Sequence, residues 1–335
     1  LFKIIFFMKI FITGASGFVG SNIVKQLSGK HTFYAMCRSA AAEEMVKANG
    51  AIPVHCELGK VESKHLQNCD IIIHAAAFTK EWGTKEEFWN ATVTGTNQLI
   101  EIAKQSGIRR FLHISTEAVL FAGRDLNNIN ETYPYPLKSK FLYSESKLEA
   151  EKLVMNSNQA DLFEVMVIRP RLVWGPGDQT VLPVLLNMIR EKKFRWINDG
   201  ANKTSTTHIY NLVRGVECAL DNWKPNQIYF ITDDEVSTYK EFLTKYISTH
   251  GVIPPNNSVP KVVARLTANF VEFLWTTLKL KSMPPITRLP AYMLSSNFTI
   301  NHAKAVKDLG YKPVISMVEA IEQLTSLNQS KTARI

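Results

Sequence analysis

Lys9-Ile10-Phe11-Ile12-Thr13-Gly14-Ala15-Ser16-Gly17-Phe18-Val19-Gly20 decides the fold of this chain. A strand-like run over 9–12 enters a turn with three spaced glycines, and an amphipathic stretch over 21–27 leaves it. A backbone passes within van der Waals distance of a pyrophosphate only where no Cβ intervenes, and the N–H groups that open the following helix are free to bind an anion. Strand, glycine turn and helix in that order predict a dinucleotide site, with Gly14, Ser16, Gly17, Phe18, Val19 and Gly20 against the cofactor. The bland alternative is an ordinary βα turn, since glycines also mark turns and helix ends.

The alternation continues downstream. A strand over 31–38, a helix over 40–49 and a strand over 52–58 complete a βαβαβ unit, and Asp70-Ile71-Ile72-Ile73-His74-Ala75-Ala76-Ala77 reads as a strand covered on both faces. It ends in Ala75, Ala76 and Ala77, small enough for a ligand to approach. Helices over 85–106 and 143–156 and strands over 110–115 and 163–169 follow, so the fold class is α/β, a doubly wound parallel Rossmann sheet. Past Arg171 the rhythm breaks at Pro176, Pro183 and a basic segment over 190–195. Residues 173–205 and 234–330 are therefore expected to form a smaller substrate-binding region, and 8–172 the nucleotide-binding domain. A strand over 228–233 suggests that 206–233 returns to the main sheet.

With 335 residues, 45% of them hydrophobic, the chain can bury a large core. The net charge of +9 is scattered rather than blocked, which argues against a nucleic-acid partner. Cys37, Cys56, Cys69 and Cys218 form no C-x-x-C pair and read as reduced thiols, so no disulfide framework and no metal site are expected, and the location expected is cytoplasmic. Residues 1–7 are apolar but interrupted by Lys3, and are expected to be an extension outside the sheet rather than a signal peptide. No uncharged apolar run reaches the length of a membrane span.

Tyr143-Ser144-Glu145-Ser146-Lys147 places a phenol and an ammonium four residues apart on one helical face. A neighbouring Lys⁺ and a cationic nicotinamide would lower the tyrosine's ionisation range and make it a usable acid or base. Ser115 and Thr116 end the preceding strand, where a parallel sheet opens its ligand crevice, and either hydroxyl could donate to a substrate oxygen. The alternatives are a solvated helix face for the first pair and a loop cap for the second.

Together these features resemble the extended short-chain dehydrogenase/reductases, in the branch similar to 3β-hydroxysteroid dehydrogenases and NAD(P)-dependent epimerase/dehydratases. The likeness spans residues 9–211 and rests on the glycine turn, 70–77, Gly95-Thr96-Asn97, Ser115-Thr116, Tyr143-x-x-x-Lys147, Arg169-Pro170-Arg171-Leu172-Val173-Trp174-Gly175-Pro176-Gly177-Asp178 and Thr207-His208-Ile209-Tyr210-Asn211. The resemblance implies Tyr143 as acid/base, Lys147 on the nicotinamide ribose and Thr116 as the catalytic hydroxyl, with Ser115 in reserve. It puts Glu57 and Leu58 beside the adenine, Pro170 on the cofactor wall, and Lys80, Trp174 and His208 at the substrate. Thr92 stands where many members carry Asn, which weakens a proton relay there. For His208 the competing reading is a structural histidine between the two regions. Pairing through the helices over 85–106 and 143–156 would give a homodimer.

The second strand ends Ala35-Met36-Cys37-Arg38-Ser39 with no acidic residue to repel a 2′-phosphate, so NADP(H) is expected on Arg38 and Ser39, with NAD(H) the alternative. The expected reaction interconverts a ketone and a secondary alcohol on a hydrophobic, steroid-like or lipid-like substrate. A nucleotide-sugar epimerase or dehydratase is the second hypothesis, for which Arg190, Lys192, Lys193 and Arg195 could hold an anion, and a non-catalytic cofactor sensor is the third. Val262, Val263, Leu266, Phe270, Phe273, Leu274 and Leu278 recur at helical spacing. That stripe would pack on the core, cover an apolar cleft or rest on a membrane surface.

Overall fold

The computed structural model describes residues 7–78, 82–280 and 282–332. Seven strands form its central sheet, in the spatial order Gln227–Ile231, Glu164–Pro170, Arg110–Ile114, Ile71–His74, Lys9–Thr13, Thr32–Cys37 and Ile52–His55. Every pairing is parallel. The chain starts in the middle, winds to one edge and returns to wind to the other, so the order reverses between Lys9–Thr13 and Ile71–His74. A reversal of this kind leaves a crevice at the carboxyl ends of the strands.

Alternating side chains feed two cores. Ile10, Ile12, Ile71 and Ile73 pack with Ile23, Leu27, Leu212 and Val216 of the helices Phe18–Leu27 and Ile209–Asp221 on one face. Phe11, Ile72 and Val167 pack with Leu99, Ala103 and Val154 of Gly95–Gln105 and Leu142–Asn156 on the other. Coverage on both faces is why the strand Ile71–His74 carries no exposed residue.

The helix expected over 85–106 is divided into Lys85–Phe88, a π-helical turn Trp89–Thr94, and Gly95–Gln105. Gly95 lies so close to Leu58 that a Cβ there would meet the leucine Cγ at 2.7 Å. The widened turn holds buried Thr92, whose hydroxyl accepts the Phe78 N–H at 3.2 Å and so fixes the loop leaving Ile71–His74.

A second sheet joins Val236–Thr238, Lys203–Ser205, Phe298–Ile300 and Leu126–Ile129. Its last strand comes from inside 8–172, so the boundary at 172 does not follow the pairing; Leu126 and Ile129 are buried with Phe298 and Ile300 instead. Gln227–Ile231 does return to the main sheet. The helix Lys261–Thr277 is inverted relative to an ordinary surface helix: Ala264 and Ala268 face inward. Arg265 donates to Ser295 at 2.7 Å, Asn269 donates to the Tyr292 hydroxyl at 3.0 Å, and Glu272 pairs with Arg288. Val262, Val263, Leu266, Phe270 and Phe273 are left facing solvent.

Candidate active site

Two of the three glycines are required by the turn itself. Gly14 has φ +73°, and a Cβ on it would lie 2.8 Å from the Ala75 and Ala76 backbone; one on buried Gly20 would lie 2.2 Å from the Gly14 carbonyl oxygen. Gly17 is exposed and caps Phe18–Leu27 with no side-chain hydrogen bond, leaving an open helix N-terminus beside Ser16, Phe18 and Val19. Across the groove, a Cβ on Gly177 would be 3.9 Å from Phe18 and from Asn22. This bare backbone cradle fits a dinucleotide pyrophosphate.

A buried polar ladder braces the cradle from below. His74 Nδ1 is 2.7 Å from the Thr13 hydroxyl and Nε2 is 2.9 Å from that of Thr96. Thr96 spends its own proton on the Thr92 carbonyl at 2.5 Å, so His74 must donate from Nε2 and accept from Thr13 at Nδ1. Thr13 in turn accepts the Ala76 N–H at 3.2 Å. Burial pushes the His74 imidazole down to about 3, which keeps it neutral for this role. The sequence signal for it is only the position of His74 at the end of an apolar strand.

At the crevice, Leu142–Asn156 presents Tyr143 and Lys147. Lys147 is buried and donates to the Ile114 carbonyl at 3.0 Å, and burial lowers its ammonium to about 8 against the opposing charge of Glu151. Tyr143 is pushed up to about 12 by burial and by the charge of Glu117, with a Thr116 hydrogen bond pulling the other way. The expected lowering by Lys147 is not found in the chain by itself; burial and the Glu117 charge dominate, and the one influence named in the lowering direction is Thr116. Thr116 donates to the Glu117 carboxylate at 2.7 Å and accepts the Ala118 N–H at 3.2 Å. Glu117 forms a buried ion pair with Arg171, which also donates to Tyr239 at 2.6 Å and lies 3.9 Å from the Phe298 ring centroid. The Ser115 hydroxyl is buried with no protein partner. Arg171 stands inside the quoted 169–178 motif and Glu117 directly follows Thr116, but a pair 54 residues apart has no local signal.

Other expected positions fall as follows. Arg38 and Ser39 are exposed at the end of Thr32–Cys37, with Ser39 capping Ala40–Ala48 by accepting the Ala42 N–H at 3.3 Å. Glu57 feels the Arg38 charge and pairs with Lys60, Leu58 packs on Gly95, and Ala75 to Ala77 line the crevice partly exposed. Pro170 is buried at the end of its strand. Trp174 and His208 are each only 1% exposed. Rather than facing open space, their rings meet edge to face at 4.7 Å, and buried Asp233 accepts from Trp174 Nε1 at 3.0 Å and the His208 N–H at 2.8 Å. Thr206 and Asn211 add donors to the same carboxylate, each at 2.7 Å. That favours the structural role weighed for His208, whose ring burial lowers to about 4. Lys80 and residues 1–6 lie outside the described residues.

A model of the 3-beta hydroxysteroid dehydrogenase/isomerase family matches residues 11–261. The chain belongs to this family. Like the family's other oxidoreductases, it interconverts a ketone and a secondary alcohol with a nicotinamide cofactor. A 4-hydroxy-2-methyl-3-oxo-4-farnesyl-3,4-dihydroquinoline-1-oxide ketoreductase from Stigmatella aurantiaca is 35% identical, over 95% of this chain and 96% of that protein. A decarboxylating sterol-4-alpha-carboxylate 3-dehydrogenase from Dictyostelium discoideum is 30% identical, over 94% of this chain and 99% of that protein. In fold, the chain is similar to a UDP-glucuronic acid 4-epimerase from Bacillus cereus solved with NAD, with a TM-score of 0.74 and 20% identity over 97% of this chain and 99% of that one.

Proposed function

We propose that this chain reduces a ketone on a hydrophobic, sterol-like or prenyl-lipid substrate, with Tyr143 giving the proton. The observation that carries the reading is that Leu142–Asn156 carries Tyr143 and Lys147 one turn apart and sets Lys147 on the Ile114 carbonyl, two residues before Thr116, at the strand ends beside the glycine cradle. When bound, the nicotinamide cofactor supplies the hydride to the carbonyl carbon. Tyr143 protonates the carbonyl oxygen, Lys147 orients the ribose, and burial of Lys147 and Thr116, with Tyr143 partly buried, limits competing water. The names of both relatives, a farnesylated quinoline ketoreductase and a sterol carboxylate dehydrogenase, support a bulky apolar substrate.

The cations expected for a nucleotide sugar support that second reading poorly. Arg190, Lys192, Lys193 and Arg195 are exposed, and Arg190, Lys193 and Arg195 are engaged with Asn187, Glu191 and nearby carbonyls at the end of Leu182–Arg190. NADP(H) is the cofactor we infer, because Arg38 and the Ser39-capped N-terminus of Ala40–Ala48 together suit a 2′-phosphate. The outward apolar face of Lys261–Thr277, with exposed Lys261 and Lys279 at its ends, supports contact with an anionic lipid surface.

The test is cofactor consumption against steroid, prenylated and aliphatic ketones and UDP-sugars, with NADPH and NADH. Turnover of apolar ketones is expected, falling about 10²- to 10⁴-fold in Tyr143→Phe. Arg38→Asp should weaken NADPH binding and spare NADH. Turnover of UDP-sugars alone would overturn the substrate reading, and equal losses of both cofactors would overturn the NADP assignment.

A further inference from the structure

Ala75, Ala76 and Ala77 are small enough for a ligand to approach, and for the same reason none has a side chain that could anchor the loop leaving Ile71–His74. The loop is held through its backbone. Ala75 N–H donates to the Thr13 carbonyl at 3.3 Å and Ala76 N–H to the Thr13 hydroxyl at 3.2 Å. Two residues on, Phe78 N–H donates to the Thr92 hydroxyl at 3.2 Å. Residues 75–78 are therefore pinned at two points by hydroxyls from different elements, one in the strand Lys9–Thr13 and one in the π-helical turn Trp89–Thr94.

His74 joins the two pins. Its Nδ1 accepts the Thr13 proton at 2.7 Å, its Nε2–H donates to the Thr96 hydroxyl at 2.9 Å, and Thr96 donates to the Thr92 carbonyl at 2.5 Å. The donors thus run in one direction from Ala76 to Thr92, as a neutral imidazole with one donor and one acceptor requires. Thr92 then returns to the loop through Phe78, and the path closes into a ring. Thr13, His74, Thr92 and Thr96 are each at most 1% exposed, so every break in the ring leaves a buried polar group unpaired. The His74 imidazole is steadied by the rings of Phe111 and His113, with centroids at 5.8 and 5.2 Å. Above the ring, the glycine turn rests on the peptide joining Ala75 and Ala76. A Cβ on Gly14 would lie 2.8 Å from the Ala75 carbonyl carbon and 2.8 Å from the Ala76 nitrogen, so a shift of the loop is passed directly to the turn.

We propose that His74 is a positioning residue for the cofactor, closing a buried ring that holds residues 75–78 against the Gly14 turn. It rests on the reading of Gly14, Ala75, Ala76 and Ala77 as cofactor wall. The three alanines give the dinucleotide room, and the ring supplies the rigidity that their side chains cannot. His74 itself touches no cofactor in this scheme. A ring constrains only while it is complete, so the first break frees the loop and a second break frees little more.

Fluorescence titration of the full chain with NADPH and NADH, with thermal melts as the control for folding, tests the closure. Thr13→Val and Thr92→Val, at opposite points of the ring, are each expected to weaken cofactor binding about fivefold or more. Thr13→Ser and Thr92→Ser keep the hydroxyl and should bind nearly as the parent chain does. The double valine variant should bind about threefold or more tighter than the product of the two single losses predicts. In a His74→Leu background, where the ring is already open, the two losses should simply multiply. Should Thr13→Val or His74→Leu fail to fold, Thr96→Val cuts the ring beside His74 and takes its place. Losses that multiply in the intact background, or that fail to multiply in the opened one, would overturn the proposal. If neither cofactor binds, the cofactor-wall reading fails, and hydrogen exchange decides the ring by itself. The Ala76 and Phe78 amides should then lose protection together in His74→Leu, and loss at one alone, or at neither, overturns the ring.

Discussion

His113 shows how a single side chain can be set by burial alone. It lies in the strand Arg110–Ile114 with its ring centroid 5.2 Å from that of His74, and neither ring nitrogen has a protein partner. Burial, then the Lys147 charge, holds its imidazole well below the usual range. A depressed folded-state value means that stability is fully present above the unfolded value near 6.5 and is lost as pH falls toward the folded one. His113→Leu should therefore be neutral or stabilising by about 1 kcal/mol at pH 7.5, with its advantage growing at pH 5.5. Urea denaturation at the two pH values measures this, and a loss of equal size at both would contradict it. His74, pushed to about 3, adds acid sensitivity of the same sign, so the variant remains acid-labile.

At the scale of an element, the strand-turn-helix unit was readable because its geometry is local. Gly14, Gly17 and Gly20 all lie in the turn read from the sequence, yet only the tertiary structure separates their tasks. Gly20 is needed for the helix to close against the Gly14 carbonyl, whereas exposed Gly17 has a Cβ clearance of 3.3 Å from the same oxygen. Gly20→Ala is expected to destabilise the fold by about 1–3 kcal/mol and to abolish cofactor binding. Gly17→Ala should keep most of the stability and weaken cofactor binding. Thermal melts paired with cofactor fluorescence titration distinguish them, and identical melting losses would refute the division of labour. The break of the helix at Trp89–Thr94 was not readable, since it depends on how Gly95 meets Leu58 and Thr92 meets Phe78.

In the whole molecule, the buried Asp233 carboxylate gathers four donors, from Trp174, Thr206, His208 and Asn211. Removing it orphans all four inside the protein. Asp233→Ala is expected to cost about 3–5 kcal/mol by chemical denaturation, and a loss below about 1 kcal/mol would show that the four donors do not depend on this carboxylate. The outward face of Lys261–Thr277 makes a second prediction at this scale. Phe270→Ser with Phe273→Ser should abolish sedimentation with vesicles containing anionic lipid while leaving the fold intact, because both rings are more than 60% exposed. Equal sedimentation of the variant would remove the lipid surface from consideration. A helical stripe is visible in sequence, but its direction is not. Arg265, Asn269 and Glu272 pair with Ser295, Tyr292 and Arg288 on the inner side, and so the apolar side is turned out.

By itself the sequence determined the parallel sheet, the glycine cradle and the Tyr143/Lys147 spacing, because each depends on residues within a few positions of one another. The tertiary structure alone decided the Glu117–Arg171 pair, the Asp233 junction, the burial of Trp174 and His208 and the inverted helix. Those depend on contacts between segments tens of residues apart, and the balance of burial and charge that sets Tyr143, Lys147 and His74 exists only once those segments meet.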